Sequence, residues 1–97
     1  MENSIIINGV ERYLPKVNEI WRHFKEGREY IIVGYARNAT TDEESRKILY
    51  HPLYVSLDEY GTNYKYFFRD IEDFMSEVDK EKYPDAQQKY RFENTGR

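Results

Sequence analysis

The sequence contains no cysteine and no long hydrophobic stretch, and these two absences exclude several classes of protein. Without cysteine the chain forms no disulfide bonds and offers no thiolate to a reaction or a metal. No segment approaches the roughly 18 apolar residues of a membrane-spanning helix. The first residues, MENSIIING, lack the basic start and long apolar run of a secretory signal. We therefore expect a cytoplasmic protein that does not associate with membranes.

The chain also lacks an excess of positive charge. Its 15 Lys and Arg residues against 18 Asp and Glu residues give a formal net charge of −3. This balance provides no general attraction to DNA, RNA or an anionic membrane, so nucleic acid is a disfavoured partner. The sequence has 2 histidines, and no close carboxylate spacing accompanies them. The sequence therefore predicts no metal site and no cofactor.

Aromatic residues are what the sequence has in abundance. Its 10 Tyr and 5 Phe residues provide much of the 39% hydrophobic content of the 97-residue chain. A tyrosine packs its ring while its hydroxyl reaches water or a partner, which suits a thin β-sheet better than a leucine-rich helical bundle. At this length we expect one domain spanning residues 1–97.

Several short segments have the β-branched and aromatic content of β-strands. The clearest is REYIIVGYARNA, which we predict to form a hairpin with the preceding IWRHFK around a Glu26-Gly27 turn. Asn8-Gly9, a strong turn dipeptide, ends a first short strand. A helix is the alternative over residues 15–25, where apolar residues recur at helical spacing after a proline. The predicted strands are residues 5–7, 20–25, 28–39, 48–50, 64–69 and 90–93.

The hydrophobic period changes after residue 69. Ile71, Phe74, Met75 and Val78 recur as on one face of a helix, and Asp70 stands at its N-cap position. Five or six short strands with one helical turn predict a mainly β fold, a small SH3-like β-barrel with one short helix or helical turn. Closure of such a barrel removes exposed strand edges.

Four blocks of sequence, in this order, resemble a known family. They are WRHFKEGREYIIVGYARNATT, the pair ILY and LY around residue 50, FFRDIEDF, and RFE. Together they resemble the DUF1653 family of small bacterial and phage domains of unknown function, over residues 21–93. The resemblance implies an SH3-like barrel and therefore favours the hairpin over the helix at Trp21. Residues 1–20 lie outside it, as an extra N-terminal strand and connector.

The chain departs from the family pattern at several places. Residues 38–40 are Asn-Ala-Thr where the family has His-Ser-Glu, and Asp70 replaces a proline. The loops after residues 41, 53 and 78 are longer than in the family. If the replaced segment contacts a ligand, the ligand of this chain differs from that of its relatives.

Cationic and aromatic side chains are concentrated in the stretch WRHFK. On a strand, Trp21, His23 and Lys25 share one face, while Arg22 and Phe24 share the other. A cation beside an aromatic ring can hold a planar anion, since a guanidinium forks to phosphate or carboxylate. A pocket for an anion forms if the barrel gathers these groups with arginines from later strands. The candidate ligand-binding residues are Trp21, Arg22, His23, Lys25, Arg37, Tyr50 and Arg69.

Each of these residues has an ordinary structural alternative. An arginine can lie along a tyrosine or pair with one of the 18 acidic residues. His23 is interpreted as a structural histidine, since no second catalytic group accompanies it. Glu72 and Asp73 point apart on a helix and are interpreted as a solvated face. The alternating aromatics of residues 64–68 offer a base-stacking surface, although a core strand is the simpler interpretation.

Three functions follow from these patterns. The first is a non-catalytic binding module for a small anionic, nucleotide-derived ligand, such as a phage-type sponge protein that sequesters a signal. The second is an SH3-like protein-interaction domain that binds a peptide or partner subunit through exposed tyrosines. The third is a small enzyme acting on a nucleotide with His23 as acid or base, and a homodimer is compatible with all three. The candidate tyrosines of the second function are Tyr35, Tyr54, Tyr60 and Tyr64.

Overall fold

Strands dominate the part of the chain that the computed structural model describes, which is residues 3–40, 46–52 and 66–97. These residues form seven strands in two antiparallel sheets and one short helix, so the predicted mainly β fold is confirmed. In chain order the elements are β1 Ser4–Ile7, β2 Val10–Tyr13, β3 Ile20–His23, β4 Glu29–Arg37, β5 Arg46–Pro52, β6 Phe67–Asp70, α1 Ile71–Met75 and β7 Phe92–Asn94.

The smaller sheet is the hairpin of β1 and β2. Asn8 and Gly9 connect the two strands with φ angles of 48° and 82°, and a two-residue turn with both φ values positive matches the twist of a hairpin. The predicted first strand and its turn are therefore confirmed. The sequence did not predict β2, because the residues VERY include two charges and have little hydrophobic alternation.

The larger sheet has the strand order β6-β5-β4-β3-β7. Its β3 begins at Ile20, so residues 20–23 form a strand, as the family resemblance favoured, and not a helix. The predicted hairpin of β3 and β4 turns at Glu26 and Gly27, whose φ angles are 58° and 66°. The other edge of β3 pairs with β7, where Trp21 lies opposite Asn94.

The two edge strands of the larger sheet, β6 and β7, do not pair directly with each other within the described residues. The chain between them passes through α1, and a bridge then joins Glu77 to Tyr90. Two backbone hydrogen bonds flank this bridge, from the Arg91 N–H to the Ser76 carbonyl at 3.0 Å and from the Val78 N–H to the Lys89 carbonyl at 2.9 Å. The segment after the helix therefore links the β6 end of the sheet to the β7 end.

The core lies on one face of the larger sheet and is covered by α1. Phe74 of the helix stacks on Phe92 of β7, with ring centroids 3.9 Å apart and planes at 9°. Both rings are buried, as are Ile32 and Ile48. The helical face predicted from the spacing is thus buried, although the helix ends at Met75.

Asp70 occupies the predicted N-cap position of α1 but makes no capping hydrogen bond with its side chain. Its carboxylate instead forms an ion pair with Lys47 of β5, the residue directly opposite in the sheet. The strand partner therefore competes successfully with the helix for this carboxylate. Within the described ranges, no helix has the length and hydropathy needed to cross a bilayer.

Candidate functional site

Arg69 lies on the core-facing side of the larger sheet, close to the end of β6. It is the cross-strand partner of the buried Ile48, and residues paired in this way point to the same face. Its Nε donates a hydrogen bond to the hydroxyl of Tyr50 at 2.9 Å, and its guanidinium carbon lies 5.5 Å from the ring centroid of Phe92. Tyr50 is only 5% exposed, and burial raises the pKa of its hydroxyl.

Two arginines converge on a single carboxylate at this end of the sheet. One carboxylate oxygen of Asp73 in α1 accepts a hydrogen bond from Arg69 Nη1 at 2.9 Å. The other oxygen lies 3.3 Å from Arg91 Nη1. We call Arg69, Asp73 and Arg91 the arginine cluster. The three side chains are 33%, 41% and 36% exposed, so solvent and small ligands reach them. With two positive charges and one negative charge, the cluster carries a net positive charge.

Arg91 contributes a second feature to the cluster. Its Nε is buried and has no hydrogen-bond partner among residues 3–40, 46–52 and 66–97. A buried donor without an acceptor is unfavourable and is uncommon in folded proteins. Because the atom is buried, an acceptor from solvent reaches it only if the Arg91 side chain or its neighbours move.

His23 connects the arginine cluster to the β3–β4 turn. Its ring centroid lies 4.7 Å from those of both Phe24 and Phe92, and its Nδ1 accepts the backbone N–H of Lys25 at 3.3 Å. Burial lowers the pKa of His23 from 6.5 to about 4, with further lowering from the charges of Arg69, Lys25 and Arg91. His23 is therefore neutral at pH 7, with its proton on Nε2.

This low pKa predicts a pH dependence of stability. The pKa of His23 is about 4 in the folded protein and about 6.5 in the unfolded chain. Between pH 4 and pH 6.5 the unfolded chain therefore binds more protons than the folded protein. The free energy of unfolding should therefore be highest above pH 6.5 and should fall as the pH is lowered towards 4. After allowance for solvent screening we expect a loss on the order of 1–2 kcal/mol. Urea denaturation at several pH values would measure it.

The matched variants for this experiment are His23→Gln and His51→Gln. The first should flatten the dependence between pH 4 and 6.5, because the titrating ring is gone. The second should keep the dependence, because His23, its burial and the neighbouring cations that lower its pKa all remain in place. An unchanged slope in His23→Gln would contradict the assignment.

The structure separates the predicted site residues into two groups. It brings His23, Tyr50 and Arg69 together, with the charge of Lys25 near His23. Trp21 is instead a core residue, 3% exposed, whose ring centroid lies 5.7 Å from that of Phe74.

Arg22 and Arg37 lie apart from this group. Arg22 is exposed on the opposite face of β3, where its Nε donates to the side-chain oxygen of Gln88 at 3.2 Å. Arg37 is exposed at the end of β4, opposite Arg46 of β5.

The sequence analysis missed Asp73 and Arg91 as members of the site. The sequence alone predicts a solvated face for Asp73, because Asp73 and its neighbour Glu72 point apart on a helix. The pair of Arg69 and Asp73 forms where the chain passes from β6 into α1, so helical spacing does not predict it. For Arg91 no local signal existed, because its partner lies in α1 and the two meet only through the fold.

A cleft of about 950 Å³ lies elsewhere, between the β1–β2 hairpin with its connector and the larger sheet. Tyr35, one of the tyrosines considered for protein interaction, lines it and donates its hydroxyl hydrogen to the Pro15 carbonyl at 2.5 Å. Tyr54, Tyr60 and Tyr64 lie outside the described residues. Within residues 3–40, 46–52 and 66–97, no group of three or more His, Cys, Asp or Glu side chains is arranged to hold a metal ion.

Comparison with known proteins identifies the family. The sequence profile of the family described as "Protein of unknown function (DUF1653)" matches residues 19–94. The match includes His23, Tyr50 and the whole arginine cluster, whereas β1 and β2 precede it. No curated protein and no solved structure matches the chain at a significant level. The chain, matched over more than half of its length, belongs to the DUF1653 family.

Proposed function

We propose that this protein is a non-catalytic module that binds a small anionic ligand of the phosphate class at the arginine cluster, within the cytoplasm. One observation carries the proposal: two partly exposed arginines share the single carboxylate of Asp73. The cluster therefore has a surplus of positive charge on side chains that solvent reaches. A nucleotide-derived signal is the ligand class that we favour.

The surroundings of the cluster suit the binding of a phosphate. A guanidinium presents several N–H donors in a planar fork that matches the oxygens of phosphate. The ring of Phe92 lies against Arg69 and limits the water around it, and partial burial strengthens the attraction between charges. The Nδ1 of His23 accepts a backbone N–H, so its neutral ring keeps an N–H donor at Nε2.

The state of His23 favours binding over catalysis. A general acid or base works best when its pKa is near the operating pH. With a pKa of about 4, His23 is a poor acid and a weak base at pH 7. Binding without turnover allows such a protein to sequester a signal or to report its concentration.

The proposal is tested by thermal denaturation with a panel of phosphate, pyrophosphate, ADP-ribose, mononucleotides and cyclic dinucleotides. A ligand at a hundred times its Kd adds ~2.7 kcal/mol to the free energy of unfolding, which raises the Tm of a domain this small by roughly 10–20 °C. Arg69→Ala should abolish the rise. Arg97→Ala is the matched control, because it removes an equal charge from a pair with Glu29 on the other face of the sheet.

The outcomes show whether the protein binds an anion and whether the arginine cluster is the binding site. A rise in Tm that is kept in Arg97→Ala and lost in Arg69→Ala supports the arginine cluster as the binding site. No rise with any anion would overturn the proposal, and an equal rise in Arg69→Ala would move the site elsewhere. Chromatography of the ligand after incubation separates a binding module, which returns it unchanged, from an enzyme, which converts it.

A further inference from the structure

A second, smaller pocket adjoins the region of His23. It has a volume of about 290 Å³ and lies between the β3–β4 turn and residues 82–86. Ligand pockets in proteins usually have ~300–1,000 Å³, so this one has room for a single ring system. Phe24 and Tyr83 provide its aromatic surface. Lys25 and Lys82 provide two positive charges against the one negative charge of Asp85.

The aromatic and cationic groups of this pocket are in mutual contact. The ring of Tyr83 meets Phe24 edge-on, with centroids 4.9 Å apart. The Nζ atoms of Lys25 and Lys82 lie 5.0 Å and 5.5 Å from the centroid of Tyr83. A hydrogen bond with Lys25 lowers the pKa of Tyr83, and the charge of Lys82 lowers it further. Tyr83 is thus a partly exposed ring held next to two ammonium groups.

The loop that carries Tyr83 is fixed by its own hydrogen bonds. The Tyr83 N–H donates to the Asp79 carbonyl at 2.8 Å. The Asp79 carboxylate accepts the Glu81 and Lys82 N–H groups at 3.0 Å and 3.3 Å. Lys80 donates to the Gln88 carbonyl at 3.0 Å and joins the two ends of the loop. The pocket is therefore preformed, which reduces the entropy lost when a ligand binds.

A row of ring contacts connects the pocket to the arginine cluster. Tyr83 contacts Phe24, Phe24 contacts His23, and His23 contacts Phe92. Phe92 in turn lies against the guanidinium of Arg69. Phe24 and His23 therefore lie between the aromatic pocket and the arginine cluster in this series of contacts.

We propose that Tyr83, Phe24, Lys25 and Lys82 form the ring subsite of the same binding site, so that its ligand is a nucleotide with at least two negative charges. This inference rests on the function proposed for the arginine cluster. The planar base stacks on the ring of Tyr83, since stacking on an aromatic accepts any base. The phosphates extend past His23 to Arg69 and Arg91, and the two lysines neutralise additional charge near the ring.

The test compares ligands with and without a base. Isothermal titration would measure the affinities of pyrophosphate and of ADP, GDP and UDP for the wild-type protein. We expect the best nucleoside diphosphate to bind at least tenfold more tightly than pyrophosphate, because only it contacts Tyr83. In Tyr83→Leu that advantage should disappear, while the affinity for pyrophosphate stays within about twofold. Tyr13→Leu is the matched control, because it changes an exposed tyrosine on β2.

The outcomes separate this inference from the function on which it rests. Pyrophosphate binding with no gain from any base, or a gain that persists in Tyr83→Leu, would overturn the ring subsite and leave the arginine cluster intact. Failure of all four compounds to bind the wild-type protein would overturn both. Loss of the gain in Tyr13→Leu as well as in Tyr83→Leu would show a general loss of structure and would count against the subsite.

Discussion

Replacing Phe74 by alanine is expected to lower the free energy of unfolding by about 3–5 kcal/mol, the usual range for a fully buried phenylalanine. Phe74 is 0% exposed and stacks on Phe92 at 3.9 Å. It also contacts Trp21 at 5.7 Å and Tyr50 at 5.5 Å between ring centroids. Its removal leaves a cavity that rigid strands on several sides cannot close.

Urea denaturation would measure this change, and thermal denaturation should show a fall in Tm of roughly 12 °C or more. Phe68→Ala is the matched control, because Phe68 is 65% exposed on the outer face of β6. Its effect should stay within about 0.5 kcal/mol. A loss below 1 kcal/mol in Phe74→Ala would mean that the helix does not cover the core as described.

The second large effect is expected from Arg12, which joins the β1–β2 hairpin to the rest of the protein. Its guanidinium donates hydrogen bonds to the carbonyl of Met75 and, at 3.0 Å, to that of Phe92. The guanidinium carbon lies 3.7 Å from the ring centroid of Tyr90. Burial lowers the pKa of Arg12 below its usual value, although it remains charged at neutral pH. The bonded carbonyls belong to the end of α1 and to β7.

We expect Arg12→Ala to lower the free energy of unfolding by about 2–4 kcal/mol, given the usual strengths of charged hydrogen bonds and of a desolvated cation over a ring. Arg12→Lys should recover less than half of this, because an ammonium cannot reproduce the planar fork. Hydrogen exchange should accelerate across β1 and β2. Lys16→Ala, at an exposed position in the connector that follows β2, is the control. Unchanged protection of the hairpin in Arg12→Ala would contradict this role.

Much of the fold could be predicted because its signals are local. The turn dipeptides at residues 8–9 and 26–27 adopt positive φ angles, and the helical spacing after residue 69 corresponds to the buried face of α1. In β6, however, the aromatic run has two faces. Phe67 packs against the core, whereas Tyr66 and Phe68 are 52% and 65% exposed. The run of aromatic residues alone does not indicate which face of the strand packs against the core.

The candidate site was only partly predictable, and for a physical reason. Alternation along β3 correctly indicated that Arg22 and His23 face opposite sides, but not which side meets the other cations. That depends on the pairing of β3 with β7, which brings Phe92 opposite His23. Arg91 and Asp73 enter the site through the same long-range contacts. Local periodicity determines the faces of an element, whereas the element that covers each face is determined by the whole chain.

The pairing of β3 with β7 also has a consequence for the order in which the protein folds. Trp21 lies opposite Asn94, so the edge of the sheet beside β3 is completed by residues almost at the end of the described chain. Contacts between distant residues require the closure of a long loop, which slows folding. On the ribosome, β3, β4 and β5 emerge while α1 and β7 are still being synthesised. Their apolar face stays exposed to solvent during that interval, so the nascent chain is more prone to aggregation until α1 and β7 are made.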